Sequence, residues 1–154
     1  MIEELKRFVG EARGHGYAVV RDVPVRREPD GSSSLVFARG DWQYHDNFFG
    51  GDPFAGREVV HRAARPVWCM VYYGATSTAH DPNQVFRWVR AALRAAEPGA
   101  RRGPAGYQDA DWSYSCAAAG DIERFSGSEQ IELSGAVVYR ADFAGGWVDR
   151  VDAL

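Results

Sequence analysis

Two glutamates, Glu58 and Glu129, stand inside segments whose other residues read as β-strand. Glutamate is a poor strand former, so a carboxylate kept within a sheet needs either a partner or a task. The task can be chemical: a carboxylate that faces a cavity can bind a cation or work as an acid or base. It can equally be structural, with the carboxylate accepting hydrogen bonds from a nearby loop or from a Trp or Tyr donor. The two positions are matched. Phe54-x-Gly56-x-Glu58-x-Val60 recurs 71 residues later as Phe125-x-Gly127-x-Glu129-x-Ile131. One shared structural role explains both glutamates, and a symmetric pair converging on one ligand also explains them. Gly56 and Gly127, two residues earlier, fit a bulge or a close approach of backbone.

The aromatic residues repeat in the same way. Asp41-Trp42-Gln43-Tyr44 recurs 70 residues later as Asp111-Trp112-Ser113-Tyr114, and Trp68, Tyr72 and Gly74 align with Tyr139, Phe143 and Gly145 at 71. These blocks predict a duplicated unit, about 35–75 and 105–146, within a single domain spanning 1–154. The segment Val67-Trp68-Cys69-Met70-Val71-Tyr72-Tyr73 is apolar throughout. Alternation puts Trp68, Met70 and Tyr72 on one face and Val67, Cys69, Val71 and Tyr73 on the other. An antiparallel strand open to water on one side would not be apolar on both. One face is therefore expected to meet helices, and the other a second layer, a partner subunit or an enclosed pocket. The aromatic face suits a pocket, because Trp, Tyr and Met offer flat contact surface with polar tips. The candidate ligand-binding set is Tyr44, Glu58, Trp68, Met70, Tyr72, Tyr114, Glu129 and Tyr139.

Other chemistry finds little support. Tyr44-His45-Asp46 resembles a catalytic cluster, but neighbouring strand residues point to opposite faces, so His45 and Asp46 cannot easily cooperate. His15, His45, His61 and His80 show no metal-ligand spacing. Cys69 has no basic helper close in sequence, and an inert buried thiol is expected there. No glycine-rich phosphate loop and no serine nucleophile elbow is present. Arg101-Arg102-Gly103-Pro104 reads as a solvated basic turn, with anion binding as the other option. No catalytic residue, cofactor or metal is assigned.

The elements that must position these residues follow from periodicity. Ile2, Leu5, Phe8, Val9 and Ala12 predict an amphipathic helix over 2–13. Tyr17 to Val20 is a short strand candidate, and 24–34 reads as a surface loop. Strands are expected at 35–39, 41–49, 58–62 and 67–73, then at 111–117, 122–132 and 136–144. Their short connections favour antiparallel neighbours. Between the two sets, Asp81 can cap a helix over 82–97 that Pro82 opens and Pro98-Gly99 stops. The second half shows no clear counterpart of the strand at 35–39. The expected fold is α+β: duplicated antiparallel meanders forming a sheet, with two helices, about 2–13 and 82–97, packed on one face.

The 154 residues suffice for a real core, and 45% hydrophobic with 25% charged residues suits a globular protein. A net charge of −3 gives no general basic footprint, so direct nucleic-acid binding is not expected. Lys6 is the only lysine, which fits a GC-rich coding bias. Two cysteines, Cys69 and Cys116, fit free thiols in a reducing compartment. No apolar run reaches membrane-span length, and the acidic Met1-Ile2-Glu3-Glu4 start does not resemble a signal peptide. A cytoplasmic protein without a membrane partner is expected.

The run from Tyr44 through Gly50-Gly51-Asp52-Pro53-Phe54 to Glu58-Val59-Val60 resembles an uncharacterised bacterial family, a domain of unknown function. So do Pro66-Val67-Trp68-Cys69-Met70-Val71-Tyr72-Tyr73-Gly74, Arg102-Gly103-Pro104, Phe125-Ser126-Gly127-Ser128-Glu129-Gln130-Ile131 and the closing Gly145-Gly146. The resemblance covers nearly the whole chain. It implies a domain found alone or behind a helix-turn-helix DNA-binding domain, and this chain reads as the stand-alone form. Cys69-Met70-Val71 departs from the pattern, since the family more often has a small polar residue before the Met and Asn after it. The resemblance implies a sensing or effector-binding role and carries no activity. With the residues above, it leads to a non-enzymatic small-molecule-binding or sensing domain for an apolar or cationic organic ligand. The alternatives are an enzyme with Glu58 or Glu129 as general base and Tyr72 or Tyr114 as donor, and a homodimerising module that pairs through its aromatic face.

Overall fold

The computed structural model describes residues 1–16 and 25–149. The strand expected from Tyr17 to Val20 lies outside the described residues. Helix α1 spans Ile2–Gly14 and helix α2 spans Pro82–Arg94. The strands are β1 (Arg26–Arg27), β2 (Ser33–Arg39), β3 (Trp42–Gly50), β4 (Phe54–Arg62), β5 (Arg65–Thr76), β6 (Gly106–Asp109), β7 (Trp112–Asp121), β8 (Arg124–Leu133) and β9 (Ala136–Trp147). This is an α+β fold, and among the described residues it holds one nine-stranded sheet in the order β1-β2-β3-β4-β5-β9-β8-β7-β6. Every adjacent pair is antiparallel.

On one side of the β5–β9 seam stand β4, β3, β2 and β1, and on the other β8, β7 and β6. β2 to β5 form one meander and β6 to β9 the other. Register shifts fall between Val60 and His61 and again between Ile131 and Glu132. The turns that follow place Ala63 and Ala64 in one half, and Ser134 and Gly135 in the other, at positive φ. Such a pair of φ values is what a two-residue hairpin turn with the sheet's own twist requires. The amides of Ala63 and Ser134 then bond back to the carbonyls of Asp41 and Asp111 at 2.8 and 3.0 Å.

β6 corrects the sequence-based expectation that the second half lacks a counterpart of the strand at 35–39. Gly106-Tyr107-Gln108-Asp109 shows no apolar alternation, yet it pairs with β7 as β2 pairs with β3. An edge strand of four residues needs only backbone partners on one side, so it leaves little trace in side-chain pattern.

α1 buries Leu5, Phe8, Val9 and Ala12 in a cluster with Trp42, Tyr44, Val60, Trp68, Met70 and Tyr72. α2 buries Val85, Val89 and Ala92 with Trp112, Tyr114, Ile131, Tyr139 and Ala141. Each large apolar side chain removed from water contributes roughly 1.5–3 kcal/mol. Asp81 caps α2 through its side chain, which accepts from the Asn83 amide at 3.0 Å, and Pro82 opens the first turn. The Trp68–Met70–Tyr72 face of β5 thus meets helix-bearing core, whereas the opposite face carries Val71 and Tyr73 at 52% and 58% exposure.

Candidate functional site

A cavity of about 690 Å³ is bordered by α1, α2, β3, β4, β5, Tyr139 of β9 and the segment 96–102. Its floor is sheet. Alternation along β3 aims Tyr44 and Asp46 at the same face, and cross-strand register sets Glu58 opposite Asp46, and Tyr72 opposite Gly56. A side chain at Gly56 would collide with the Tyr72 hydroxyl and the Asn47 carbonyl. Gly56 therefore lets Tyr72 lie across β4 and reach Asp46, whose Oδ1 accepts from its hydroxyl at 2.6 Å. Phe54 and Phe86 supply apolar wall, with their rings 5.8 Å apart and near perpendicular.

Glu129 is 1% exposed and does not border this cavity. Its Oε2 accepts from the Tyr114 hydroxyl at 2.5 Å, and its Oε1 accepts from the Tyr139 hydroxyl at 2.7 Å and from Arg102 Nε at 3.3 Å. Burial is the first cause that lifts the Tyr114 phenol far above its ordinary range, with the Glu129 charge next. Gly103 permits this packing, because a Cβ there would collide with the Tyr114 hydroxyl.

Glu58 is 2% exposed and borders the cavity. Its partners are two arginines. Arg13, in the last turn of α1, brings Nε to 2.9 Å and Nη2 to 2.8 Å of Oε2, and Arg102 brings Nη1 to 3.3 Å of Oε1. Arg13 is fixed further by the carbonyls of Ala100 and Arg101, at 2.8 and 3.0 Å. The Arg102 guanidinium also lies 5.1 Å over the Tyr72 ring. Burial opposes the charge on Arg102, but Glu129, Tyr139 and Glu58 outweigh it and raise its pKa above the ordinary arginine range. The turn expected to be solvated is thus a buried clamp, with the Arg102 side chain 10% exposed and one carboxylate bound from each meander.

Asp46 is the third carboxylate. Burial, followed by the charge of Glu58, raises its carboxyl to about 7, against the opposing effects of Tyr72, Arg102 and Arg13. His45 points to the other face, where Nε2 lies 3.0 Å from Ser34 Oγ, so the expectation that His45 and Asp46 do not cooperate holds. Burial also raises the Tyr72 and Tyr44 phenols, aided by nearby carboxylates.

Of the eight candidate residues, Tyr44, Glu58, Tyr72 and Tyr139 border the cavity. Trp68, Met70, Tyr114 and Glu129 lie outside it. Trp68 donates Nε1 to the Ile122 carbonyl at 2.8 Å, and Met70 places Sδ 3.6 Å from Arg13 Nη2. Three further side chains that border the cavity, Arg13, Arg102 and Asp46, were not in the candidate set. Asp46 alone left a signal, its i, i+2 spacing from Tyr44 on a strand. Cys69 and Cys116 are free thiols, both raised by burial. Among the described residues, no group of three His, Cys, Asp or Glu side chains is placed to hold a metal ion, and no helix is long and apolar enough to cross a membrane.

A family model described as a domain of unknown function, DUF5680, matches residues 46–148. The chain belongs to this family. The matched stretch begins at Asp46 and takes in Glu58, Tyr72, Arg102 and Glu129, while Arg13 and Tyr44 precede it. No curated protein and no solved structure matches the chain.

Proposed function

We propose that the protein is a non-enzymatic domain that binds or senses a small organic molecule in the cavity between its helices and the first meander. The observation that carries this reading is the cavity itself. Its volume of about 690 Å³ lies in the range of roughly 300–1,000 Å³ common for small-molecule sites. Apolar aromatic wall stands on one side and a few fixed polar groups on the other. The two meanders and the matched bulges and turns support descent from a duplicated unit within one domain, with both helices on one sheet face. In that view the first half specialised for ligand and the second for support. A place in the cytoplasm, alone or behind a helix-turn-helix domain of a bacterial regulator, belongs to the same proposal.

A thermal-shift screen of small molecules tests the reading, with Leu93→Trp as the blocking variant. Leu93 borders the cavity from α2. Compounds that bind there raise the melting temperature of the wild type and lose that effect in Leu93→Trp. A screen in which no compound stabilises the wild type selectively sinks the proposal.

A second reading, catalysis by a carboxylate base, draws on Asp46 rather than on Glu58 or Glu129. Both oxygens of each glutamate are occupied by donors, whereas Asp46 titrates near neutrality beside the cavity. Turnover that Asp46→Asn abolishes would favour it over simple binding. Homodimer formation is a third reading. It draws on the exposed Val71 and Tyr73 and not on the buried aromatic face, and light scattering tests it.

A further inference from the structure

Asp46 and Glu58 both border the cavity, but only Glu58 is neutralised. Asp46 accepts one hydrogen bond, at Oδ1 from Tyr72. Among the described residues its Oδ2 has no hydrogen-bond partner and no ion pair reaches either oxygen, although the residue is 5% exposed. The Tyr44 hydroxyl next to it on the same face also has no hydrogen-bond partner among the described residues. The groups that face Asp46 are Glu58 from β4, Tyr72 from β5, Tyr44 from its own strand, Arg13 from α1 and Arg102 from the segment after α2. Leu35 stands opposite it on β2 and carries no charge.

The charges at this floor can be balanced by inspection. Arg13 is paired with Glu58, and Arg102 is shared by Glu58 and Glu129. Two guanidiniums answer two glutamates. An ionised Asp46 leaves one negative charge over, on a side chain that is 5% exposed.

Resting on the ligand-binding reading above, we propose that the cavity takes a small organic cation, a protonated amine on an apolar body. The ammonium sits against Asp46 Oδ2 and the Tyr44 hydroxyl, and the body lies against Phe54 and Phe86. An ammonium supplies the donors that these two oxygens lack, and the aromatic walls favour a cation over an anion. A ligand carboxylate would instead meet Glu58 and Asp46 at close range, with Arg102 already committed to two carboxylates. Arg90 and Arg94, on the α2 wall, have partners of their own.

The anchor is also set to respond to pH. With its carboxyl at about 7, Asp46 is mostly charged one pH unit above that value and mostly neutral one unit below. Amine binding therefore strengthens as pH rises through neutrality.

Calorimetric titration with three probes of one skeleton decides the matter: tryptamine, its alcohol tryptophol, and indoleacetate. At pH 8 tryptamine is expected to bind wild type at least about tenfold tighter than either analogue, and to weaken about tenfold at pH 6 as Asp46 takes up its proton. Asp46→Asn is expected to bind tryptamine and tryptophol alike. Tryptophol or indoleacetate binding as tightly as tryptamine at pH 8 overturns the cation assignment and leaves the cavity reading standing. A preference for tryptamine that survives in Asp46→Asn overturns the role of Asp46. If that variant does not fold, the wild-type pH series decides alone: affinity for tryptamine unchanged between pH 6 and pH 8 overturns the proposal. If none of the three probes binds, this inference falls, and the wider screen then judges the cavity reading separately.

Discussion

Glu58 and Glu129 stand 71 residues apart in the same Phe-x-Gly-x-Glu pattern, yet they hold different partners. Glu129 is held by two phenols and a guanidinium, away from the cavity. Glu58 is held by two arginines that themselves border the cavity. The difference traces to a few exchanges at equivalent positions. Trp68 stands where the other half has Tyr139, so the first half lacks that donor. Asp46 stands where the other half has Cys116, which faces Glu129 across β7 and β8 and adds no carboxylate there. Tyr72 stands where the other half has Phe143, and its hydroxyl goes to Asp46. One scaffold thus carries a closed network in one half and an open, titratable one in the other. A fully satisfied buried network rigidifies, while a network open to a cavity can exchange partners with a ligand.

The same substitution in each half gives the strongest test of this contrast. Glu129→Ala leaves two buried phenols without an acceptor and Arg102 with one carboxylate, and is expected to cost about 3–5 kcal/mol in urea unfolding. Glu58→Ala is expected to cost less, about 1–3 kcal/mol, because Arg13 keeps its two carbonyls and water can enter from the cavity. A larger loss at Glu58 would reverse the comparison. Asp46 sharpens it through pH. Its carboxyl is raised on folding, so between about pH 4 and about 7 the folded chain holds a proton that the unfolded chain has released. Stability contributed by this group is complete below its unfolded pKa and falls as pH rises through the window. Asp46→Asn should remove that slope and be more stable than wild type by roughly 2 kcal/mol at pH 8, measured against pH 5. An unchanged slope would show that Asp46 is not the group responsible.

Tyr72→Phe makes the first half imitate Phe143 of the second. It removes one hydrogen bond to Asp46 and is expected to cost about 1 kcal/mol, read from the shift of the urea midpoint at neutral pH. The smallest effect lies in the turns. Ala64 sits at φ 64° where the second half has Gly135 at 82°. Ala64→Gly should stabilise by up to about 1 kcal/mol, the relief of a left-handed alanine less the added freedom of the unfolded chain. A loss of stability there would mean that the two turns are not equivalent.

Much of the scaffold was legible because local chemistry announces it. The spacing of Leu5, Phe8, Val9 and Ala12, the Asp81-Pro82 start and the repeated Phe-x-Gly-x-Glu blocks each carry their own reason. Glu58 and Glu129 stood out because a carboxylate in a strand is unusual. What stayed hidden depends on contacts distant in sequence. Arg102 reads locally as one cation of a basic turn, and only the folded chain brings it to carboxylates from two different strands. Arg13 reads as a cation suited to the last turn of a helix. Asp46 lay behind its neighbour His45, and its partner Tyr72 is two strands away. β6 escaped because its four residues rely on backbone pairing with β7.

The sheet's edges carry a further consequence. Among the described residues the sheet ends on its shortest members, the two residues of β1 and the four of β6. Both residues of β1 are arginine, and β6 closes on Asp109. A neighbouring molecule pairing with β1 or β6 would have to find register on two or four residues while burying charge, although beyond them, among the described residues, β2 keeps 35–39 and β7 keeps 117–121 without a strand on that side. The charge that both edge strands carry works against the docking of a further strand on them.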